Sequence, residues 1–402
     1  MSQGALSHIK VLDLSRVLAG PWCTQILGDM GADVIKVENP AGGDDTRSWG
    51  PPFVADETGQ PGDAAYYLCA NRNKRSITVN MRTEAGREIL RDLAAQSDVV
   101  IENYKTGGLK KYGLDYASVK ALKDDVIYCS ITGFGQTGPL ADQPGYDFLI
   151  QAMGGLMSVT GEDKPMKVGV PAVDLFTGVY AAGAIMAALI HRDRSGRGEY
   201  IDMALLDVQA AMLANQAANY FVSGRAPGRG GNGHPNIVPY QDFPTRDGRI
   251  AIAVGNDRQF AAFAAAMGRP DWAQDPRFIR NADRVAHREV LIAEITVTMA
   301  QRDTETWSSL LHEAGVPCGP IQSVDEVFAH PQALARNLSF EAASGAASGV
   351  RLVASPMRLS GAAPRYERPP PRLGEHTEEV LQERLNLSQN RVSTLKAQGV
   401  LG

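Results

Sequence analysis

The fold is set by the stretch IKVLDLSRVLAGPWCTQILGDMGADVIKVE, residues 9–38. A short apolar run at residues 9–14 is followed by a turn, by a segment of helical character at residues 22–31, and by a second apolar run at residues 33–38 that ends in an acid. Strand, helix and strand in this order are typical of the first unit of a parallel sheet. The sequence therefore predicts an α/β protein whose large domain contains a Rossmann-like parallel sheet.

The same alternation continues farther along the chain. Apolar runs typical of strands occupy residues 76–81, 98–103 and 126–135, and helical segments lie at residues 83–96 and 116–122. Polar or glycine-rich residues follow the strand ends, and open α/β sheets bind their ligands at this carboxyl edge. We therefore expect the functional site there.

The turn after the first strand argues against a dinucleotide cofactor. It reads LSRVLAGP, residues 14–21, and lacks the GxGxxG pattern that receives a pyrophosphate. We expect neither a nicotinamide nor a flavin. The histidines form no HExxH motif and pair with no nucleophile motif, so we expect no metal site and no hydrolase triad.

The length of 402 residues exceeds what a single core usually supports, which predicts two domains. A glycine-rich segment at residues 225–235 follows a predicted helix at residues 208–222 and marks a boundary. Beyond it, residues 237–243 and 248–254 have the pattern of an antiparallel pair. We predict the first part of a large domain at residues 1–206, a linker helix at 207–229, a small α+β domain at 230–335, and a return linker with the C-terminal part of the large domain at 336–402.

Composition excludes several classes of partner. The net charge of −5 gives no indication of nucleic-acid or anionic-membrane binding. The four cysteines form no CxxC pair, which suits a reducing compartment, and no basic leader with an apolar core begins the chain. We therefore expect a cytoplasmic protein. The longest apolar run, residues 173–190, contains Asp174, Thr177 and two glycines, which favours a buried helix over a membrane span.

Asp174 is the first candidate for chemistry. It precedes an apolar helical segment, where an aspartate is typically the N-cap and accepts backbone N–H bonds at the positive end of the helix dipole. This position favours the ionised carboxylate. Taken alone, the pattern indicates only a cap.

Other stretches offer binding groups. Residues 71–76, NRNKRS, and residues 103–111 carry clustered cations that suit a phosphate, although a solvated basic turn has the same pattern. Residues 133–139, GFGQTGP, place glycines after a strand, and the segment at residues 225–235 has the composition of either a lid or a linker.

Together these segments resemble the class III CoA-transferases, the family of formyl-CoA transferase and carnitine CoA-transferase. The similarity extends from about residue 9 to residue 377 and is specific, because many independent segments match in order. The matching segments are residues 11–52, 71–81, 98–116, 128–139, 145–161 and 172–192. Residues 43–54, 217–224 and 233–243 are most similar to the succinyl-CoA:glutarate (dicarboxylate) subgroup.

The resemblance implies a reaction and an interlocked homodimer. Asp174 would attack an acyl-CoA thioester to give a mixed anhydride, the CoA thiolate would convert it to an aspartyl-CoA thioester, and an acceptor acid would then take the CoA. Coenzyme A is thus expected as part of the substrate and product, together with a small carboxylic acid. The water-sensitive intermediates require a site that excludes water.

The resemblance also implies roles for individual residues. Those expected to bind CoA are Val17, Leu18 and Ala19 near the thiol, Val79 and Arg82 on the adenine side, Asn39, Asn103, Tyr104 and Lys111 near the nucleotide and phosphates, and Thr132, Gly133, Phe134 and Gly135 along the channel. Those expected to shield the intermediates are Gly230, Gly231, Asn232, Gly233 and His234.

Three positions depart from the formyl-CoA transferase pattern. Leu18 replaces a glutamine, which argues against formate and oxalate as substrates. Asn39 and Thr132 replace an arginine and a lysine, so some phosphate contacts are lost, and we expect Lys74, Arg75 or Arg82 to compensate.

The resemblance to the dicarboxylate subgroup implies succinyl-CoA as donor and a dicarboxylate such as glutarate as acceptor. Arg47 and Arg72 are in addition expected to be spare cations that could pair with a distal carboxylate. One alternative is a racemase of the same superfamily, which needs a histidine base where this chain has Tyr146, a residue type with an ordinary pKa near 10. Another alternative is a non-catalytic CoA-binding protein.

Overall fold

The computed structural model describes residues 4–55, 59–342 and 349–402. The chain divides into two compact units. The first comprises Met1–Leu156, Val168–Ala218 and Gln332–Gly402, and the second comprises Met157–Lys167 and Asn219–Pro331.

The first unit is built on a six-stranded sheet in which every pair of neighbouring strands is parallel. The order of its strands is β5-β2-β1-β6-β7-β8. This confirms the α/β fold with a parallel sheet. The strands of this sheet are β1 (Lys10–Asp13), β2 (Asp33–Glu38), β5 (Lys74–Thr78), β6 (Val99–Glu102), β7 (Ile127–Thr132) and β8 (Glu199–Ala204), and a separate antiparallel pair is β3 (Phe53–Ala55) and β4 (Pro61–Ala64).

Both faces of the sheet are covered, which explains why its strands are apolar at successive positions. On β6, Val100 packs into one core cluster while Val99 and Ile101 pack into the other. The helices in the chain up to Ser223 are α1 (Ala19–Asp29), α2 (Ala65–Leu68), α3 (Glu84–Ala95), α4 (Tyr116–Leu122), α5 (Asp147–Met153), α6 (Leu156–Val159), α7 (Ala172–Ser195), α8 (Leu205–Met212) and α9 (Ala214–Ser223).

The second unit is the smaller and is confirmed as α+β. Its strands β9 (Tyr240–Pro244) and β10 (Arg249–Ala253) are antiparallel, as predicted, and β11 (Cys318–Pro320) pairs with β10. Its core contains Phe243, Phe260 and Trp272. Its helices are α10 (Asp257–Ala266), α11 (Asn281–Ala286), α12 (Arg288–Met299), α13 (Thr304–Glu313) and α14 (Val324–Ala329), followed by α15 (Pro331–Ala335) at the boundary.

The chain then returns to the first unit through the antiparallel pair β12 (Ser339–Glu341) and β13 (Arg351–Val353). Two helices, α16 (Thr377–Leu385) and α17 (Gln389–Ala397), pack on the sheet.

Two predicted helices differ from the structure. The single helix expected at residues 208–222 is two helices, because the chain breaks at Leu213 and Ala214 takes a φ of 42°. Helix α7 was expected to be a buried helix, but Phe176, Val179 and Tyr180 are about half exposed in the single chain. Its buried face packs along α1, where a side chain at Gly178 would collide with the Ala19 carbonyl oxygen. By length and composition alone α7 could cross a membrane, a test that core helices also pass.

Candidate functional site

A cavity of about 380 Å³ lies at the carboxyl edge of the parallel sheet, where the sequence predicted the site. The loops after β1, β6 and β7 form its walls, and Asp174 at the start of α7 lies in its lining. The predicted site residues that this cavity brings together with Asp174 are Val17, Leu18, Ala19, Asn103, Tyr104, Lys111, Thr132 and Gly133.

Asp174 is the third residue of α7, and the prediction that it is the N-cap is wrong. The N-cap is Pro171, which has no capping side chain. The orphan N–H groups of the first turn are satisfied by Asp147, whose Oδ1 accepts hydrogen bonds from the backbone nitrogens of Val173 (2.8 Å) and Asp174 (3.4 Å). The carboxylate of Asp174 is therefore not used in capping its own helix.

The surroundings of Asp174 favour its neutral, protonated form, whereas an N-cap position favours the ionised carboxylate. Burial, with a contribution from the negative charge of Asp147, raises the pKa of the Asp174 carboxyl to about 7. Within the described part of the chain, no side chain or backbone N–H donates a hydrogen bond to this carboxylate. An acid that is partly buried, unpaired and half-ionised near neutral pH is typical of a functional carboxyl rather than a structural one.

The loop after β1 enters the cavity in a strained conformation. Val17 has a φ of 69°, which is rare for a β-branched residue. Its N–H donates to both carboxylate oxygens of Asp44, at 3.2 Å each, and the buried Lys36 ammonium holds Asp44 at 2.8 Å. On the other side, Asn103 exchanges two hydrogen bonds with the backbone of Arg16. The loop is thus fixed from two directions.

A second cavity of about 330 Å³ is adjacent to the first and shares Arg16, Tyr104 and Tyr112 with it. It contains the predicted CoA-binding residues Asn39, Val79 and Arg82. The two cavities together therefore collect the predicted thiol-side and adenine-side residues along one edge of the sheet. Whether these residues bind CoA stays a prediction.

Phe134 and Gly135 lie differently from the other predicted channel residues. Phe134 packs in the core cluster beneath the cavity. Gly135 has a φ of 88° and donates its N–H to the hydroxyl of Thr132 at 2.9 Å. Neither Phe134 nor Gly135 is among the described residues that line the two cavities. Their contribution is therefore to shape the loop after β7.

The prediction that Arg47 and Arg72 are spare cations is wrong. The Arg47 guanidinium is buried, forms ion pairs with Glu38 (2.6 Å) and Asp63 (2.8 Å), and lies 3.7 Å from the centre of the Tyr67 ring. Arg72 binds both oxygens of Asp29, at 2.8 and 2.6 Å. Neither guanidinium is free for a substrate carboxylate, because both neutralise buried acids of the fold.

The cations expected to replace the lost phosphate contacts have different fates. Lys74 is fully buried, and its Nζ donates to the Pro21 carbonyl at 2.9 Å; Arg75 is nearly buried and paired with Asp33 at 2.6 Å. The prediction that Lys74 or Arg75 replaces the lost phosphate contacts is therefore wrong. Arg82 is exposed and lines the second cavity, so it stays a candidate.

The glycine segment of residues 230–234 belongs to the second unit and is held there by hydrogen bonds. The N–H of Gly231 donates to the Gly161 carbonyl at 3.1 Å, and the Asn232 amide donates to Asp242 at 2.8 Å. Arg288 donates to the carbonyl of His234 at 2.7 Å. The segment therefore has a defined conformation within its own unit.

Sequence reasoning missed Asp147, Asp44 and Arg16. Asp147 lies 27 residues before Asp174, from whose N–H it accepts, and Asp44 accepts from the N–H of Val17, 27 residues earlier, so neither contact has a local signal. Among the described residues, no group of three or more His, Cys, Asp or Glu side chains is placed to hold a metal ion.

A parallel sheet with an unpaired, partly buried carboxyl in a cavity at its carboxyl edge defines the class of α/β enzymes whose site lies at the strand ends. Residues 6–377 match the family described as CoA-transferase family III, so the chain belongs to this family. It is an enzyme that transfers coenzyme A, which confirms the predicted family and class of activity.

Relatives and solved structures agree with this assignment. The chain is 53% identical over 383 residues to the succinate–glutarate CoA-transferase of Agrobacterium fabrum, covering 94% of this chain and 95% of that protein. It is 42% identical over 402 residues to the succinyl-CoA:glutarate CoA-transferase of Mus musculus, covering 100% and 91%. The crystal structure of a CAIB/BAIF family protein from Brucella suis, 49% identical, superposes with a TM-score of 0.85 and covers 96% of this chain and 100% of that chain.

Proposed function

We propose that this enzyme moves CoA from succinyl-CoA to a dicarboxylic acid, with glutarate as the leading acceptor, through covalent intermediates on Asp174. The observation that carries the proposal is the unpaired Asp174 carboxyl in the cavity at the sheet edge. The names of the relatives from Agrobacterium fabrum and Mus musculus support the choice of donor and acceptor.

The reaction on Asp174 consists of four displacements. A carboxylate oxygen of Asp174 attacks the thioester carbonyl of succinyl-CoA, and CoA leaves as a thiolate, which gives a succinyl-aspartyl anhydride. The thiolate attacks the aspartyl carbonyl of this anhydride and releases succinate, which gives an aspartyl-CoA thioester. A carboxylate oxygen of glutarate then attacks the same aspartyl carbonyl and expels the thiolate, and the thiolate finally attacks the glutaryl carbonyl, which forms glutaryl-CoA and regenerates Asp174.

The raised pKa of Asp174 suits this sequence. A carboxylate that burial destabilises is a better nucleophile than a solvated one, and near pH 7 a substantial fraction of it is ionised. The cavity walls formed by the loops after β1, β6 and β7 limit the access of water, which would hydrolyse the anhydride and the thioester. We assign CoA to the two adjacent cavities, with Lys111 and Arg82 as its exposed cations.

A homodimer is also part of the proposal. Large apolar side chains on α5 and α7 are exposed in the single chain, and large exposed apolar areas typically mark interaction surfaces. These side chains are Phe148, Leu149, Met153, Phe176, Val179 and Tyr180. We propose that a second copy covers them and that the dimer acts in the cytoplasm. Light scattering on the purified protein measures the mass directly, and a monomer at micromolar concentration would contradict the dimer.

The nucleophile is tested by trapping. The protein is incubated with succinyl-CoA, digested, and examined by mass spectrometry with and without hydroxylamine, which converts an activated aspartyl group to a hydroxamate. We expect the modification on the peptide that contains Asp174, and none in Asp174→Ala. The matched control is Asp193→Ala, which removes an exposed carboxylate from the last turns of the same helix. Transferase activity retained in Asp174→Ala would refute the proposed chemistry.

The same preparation separates the alternatives. CoA transfer from succinyl-CoA to glutarate, measured by chromatography of the acyl-CoA products, is the expected result. Deuterium incorporation from solvent at the α-carbon of an acyl-CoA, without transfer, would indicate a racemase. Tight binding of CoA with neither reaction would indicate a non-catalytic CoA-binding protein.

A further inference from the structure

Asp147, the first residue of α5, is bonded to the backbone of the nucleophile. Its Oδ1 accepts hydrogen bonds from the N–H groups of Val173 at 2.8 Å and Asp174 at 3.4 Å. A carboxylate at this place satisfies two N–H groups at the positive end of the α7 dipole. The first turn of α7, which carries Asp174, is therefore held by a side chain from another helix.

The other carboxylate oxygen extends this contact into a chain of bonds. Oδ2 of Asp147 accepts from Nε2 of Gln151 at 2.7 Å. Gln151 is fully buried, and its Oε1 accepts from the N–H of Val168 at 2.9 Å. Asp147 and Gln151 thus fix both ends of the segment of residues 168–174 that leads into α7.

We propose that Asp147 is a positioning residue for Asp174, which holds the nucleophile's backbone and places a negative charge beside its carboxylate. The inference rests on the proposed function and deepens it, since it assigns a role in the reaction to a residue outside the predicted site. The charge matters because the two acids repel each other only while Asp174 is a free carboxylate. In the anhydride and in the thioester Asp174 carries no charge, so forming either intermediate relieves the repulsion.

The charged and titratable groups around Asp174 support this assignment. After burial, the charge of Asp147 is the cause that raises the pKa of Asp174. Tyr66 on α2 is close enough to respond, since burial and then the charge of Asp174 raise its pKa to about 12. The remaining titratable groups that line the same cavity are Arg16, Tyr104, Lys105, Lys111, Tyr112, Asp142 and Tyr146, from the loops after β1, β6 and β7.

Two substitutions separate the charge of Asp147 from its hydrogen bonds to the backbone of α7. Asp147→Asn removes the charge and keeps an oxygen that can accept from Val173 and Asp174, but its amide nitrogen cannot accept the bond from Gln151. Asp147→Ala removes both. For Asp147→Asn we expect the acid limb of the pH profile of kcat/KM to move to lower pH, because Asp174 ionises more easily without its neighbour. For Asp147→Ala we expect kcat to fall about 10- to 100-fold while the KM for succinyl-CoA stays within about threefold, since the nucleophile is misplaced and CoA binding is not.

The control is Asp193→Asn, an exposed charge removal on α7, which should leave the profile unchanged. Circular dichroism and CoA binding by calorimetry verify that Asp147→Asn is folded. An acid limb of Asp147→Asn that superposes on that of the wild type would overturn the inference, and so would a wild-type kcat in Asp147→Ala. Failure of the inference about Asp147 can be told apart from failure of the proposed function. If the proposed function were wrong, Asp174→Ala would remain active; if only the role of Asp147 were wrong, Asp174→Ala would still be inactive.

Discussion

The raised pKa of Asp174 predicts that the catalytic carboxylate destabilises the folded protein at neutral pH. The perturbation is Asp174→Asn, which has nearly the same shape as the protonated acid and cannot ionise. Burial first, and the charge of Asp147 second, raise the pKa from the ordinary 3.8 to about 7 in the folded state. The difference of roughly 3 pH units corresponds to about 4 kcal/mol at 1.36 kcal/mol per unit. Because Asp174 is partly exposed to solvent, we expect about 2–4 kcal/mol.

The sign follows from proton linkage. Between about pH 4 and pH 7 the folded protein holds a proton on Asp174 that the unfolded chain has released, so this group lowers the free energy of unfolding as the pH rises through that window. Asp174→Asn cannot ionise, so its free energy of unfolding does not fall for this reason as the pH rises. The variant should therefore lie within about 1 kcal/mol of the wild type near pH 4.5 and be more stable by about 2–4 kcal/mol at pH 8.

The assay is urea denaturation of both proteins at pH 4.5, 6 and 8, with the difference between variant and wild type taken at each pH so that other titrating groups cancel. Asp193→Asn serves as the control, and its difference should stay within about 0.5 kcal/mol at every pH. A difference for Asp174→Asn that does not change with pH would refute the reasoning. A variant that becomes relatively less stable as the pH rises would show that Asp174 has a stabilising partner.

Two further predictions concern residues around the cavity. Val17→Gly relieves the strained φ but gives the unfolded chain more freedom, so we expect stability within about 1 kcal/mol of the wild type, together with a higher KM for succinyl-CoA in steady-state kinetics. A loss of several kcal/mol would mean that the side chain, not the backbone, is what the fold requires. Arg47→Met leaves Glu38 and Asp63 without their cation and should cost about 3–5 kcal/mol in urea denaturation. Normal stability with a raised KM for glutarate alone would restore Arg47 as a substrate ligand.

The elements that local pattern controls could be predicted from the sequence. The alternation of apolar runs and helices gave the parallel sheet, since strands covered on both faces must be apolar at successive positions. The antiparallel pair of the second unit followed from its turn and alternation. The break between α8 and α9 could not be predicted, because neither glycine nor proline marks it and Ala214 adopts a φ of 42° in its tertiary context.

The candidate site was predicted in part. The resemblance to the family predicted residues that the structure places along one edge of the sheet. It did not predict which ion-pair partner each charged residue has. Arg47 and Arg72 looked available because their partners are not at a helical spacing: Glu38 and Asp63 lie 9 and 16 residues from Arg47, and Asp29 lies 43 residues from Arg72. Long-range ion pairs have no local pattern, so a count of cations overstates those that can bind a ligand.

The presence or absence of a paired cation also distinguishes the proposed nucleophile, Asp174, from the neighbouring acids. Burial raises the pKa of Asp44, but the Lys36 ammonium and the hydrogen bonds from Thr46 together more than offset it and lower the pKa to about 2. Glu38 is likewise buried, and hydrogen bonds from Arg47 lower its pKa. Each of these acids is tied to a cation, so it is a weak nucleophile and a strong structural anchor. Asp174 is partly buried with no paired cation among the described residues, and the charge that adds to its raised pKa is that of another acid, Asp147. The carboxylates that position the cavity loop are thus paired with cations, and the carboxylate that we propose reacts is not. This contrast can be recognised only when the partner of each acid is known, because the residue types alone are the same.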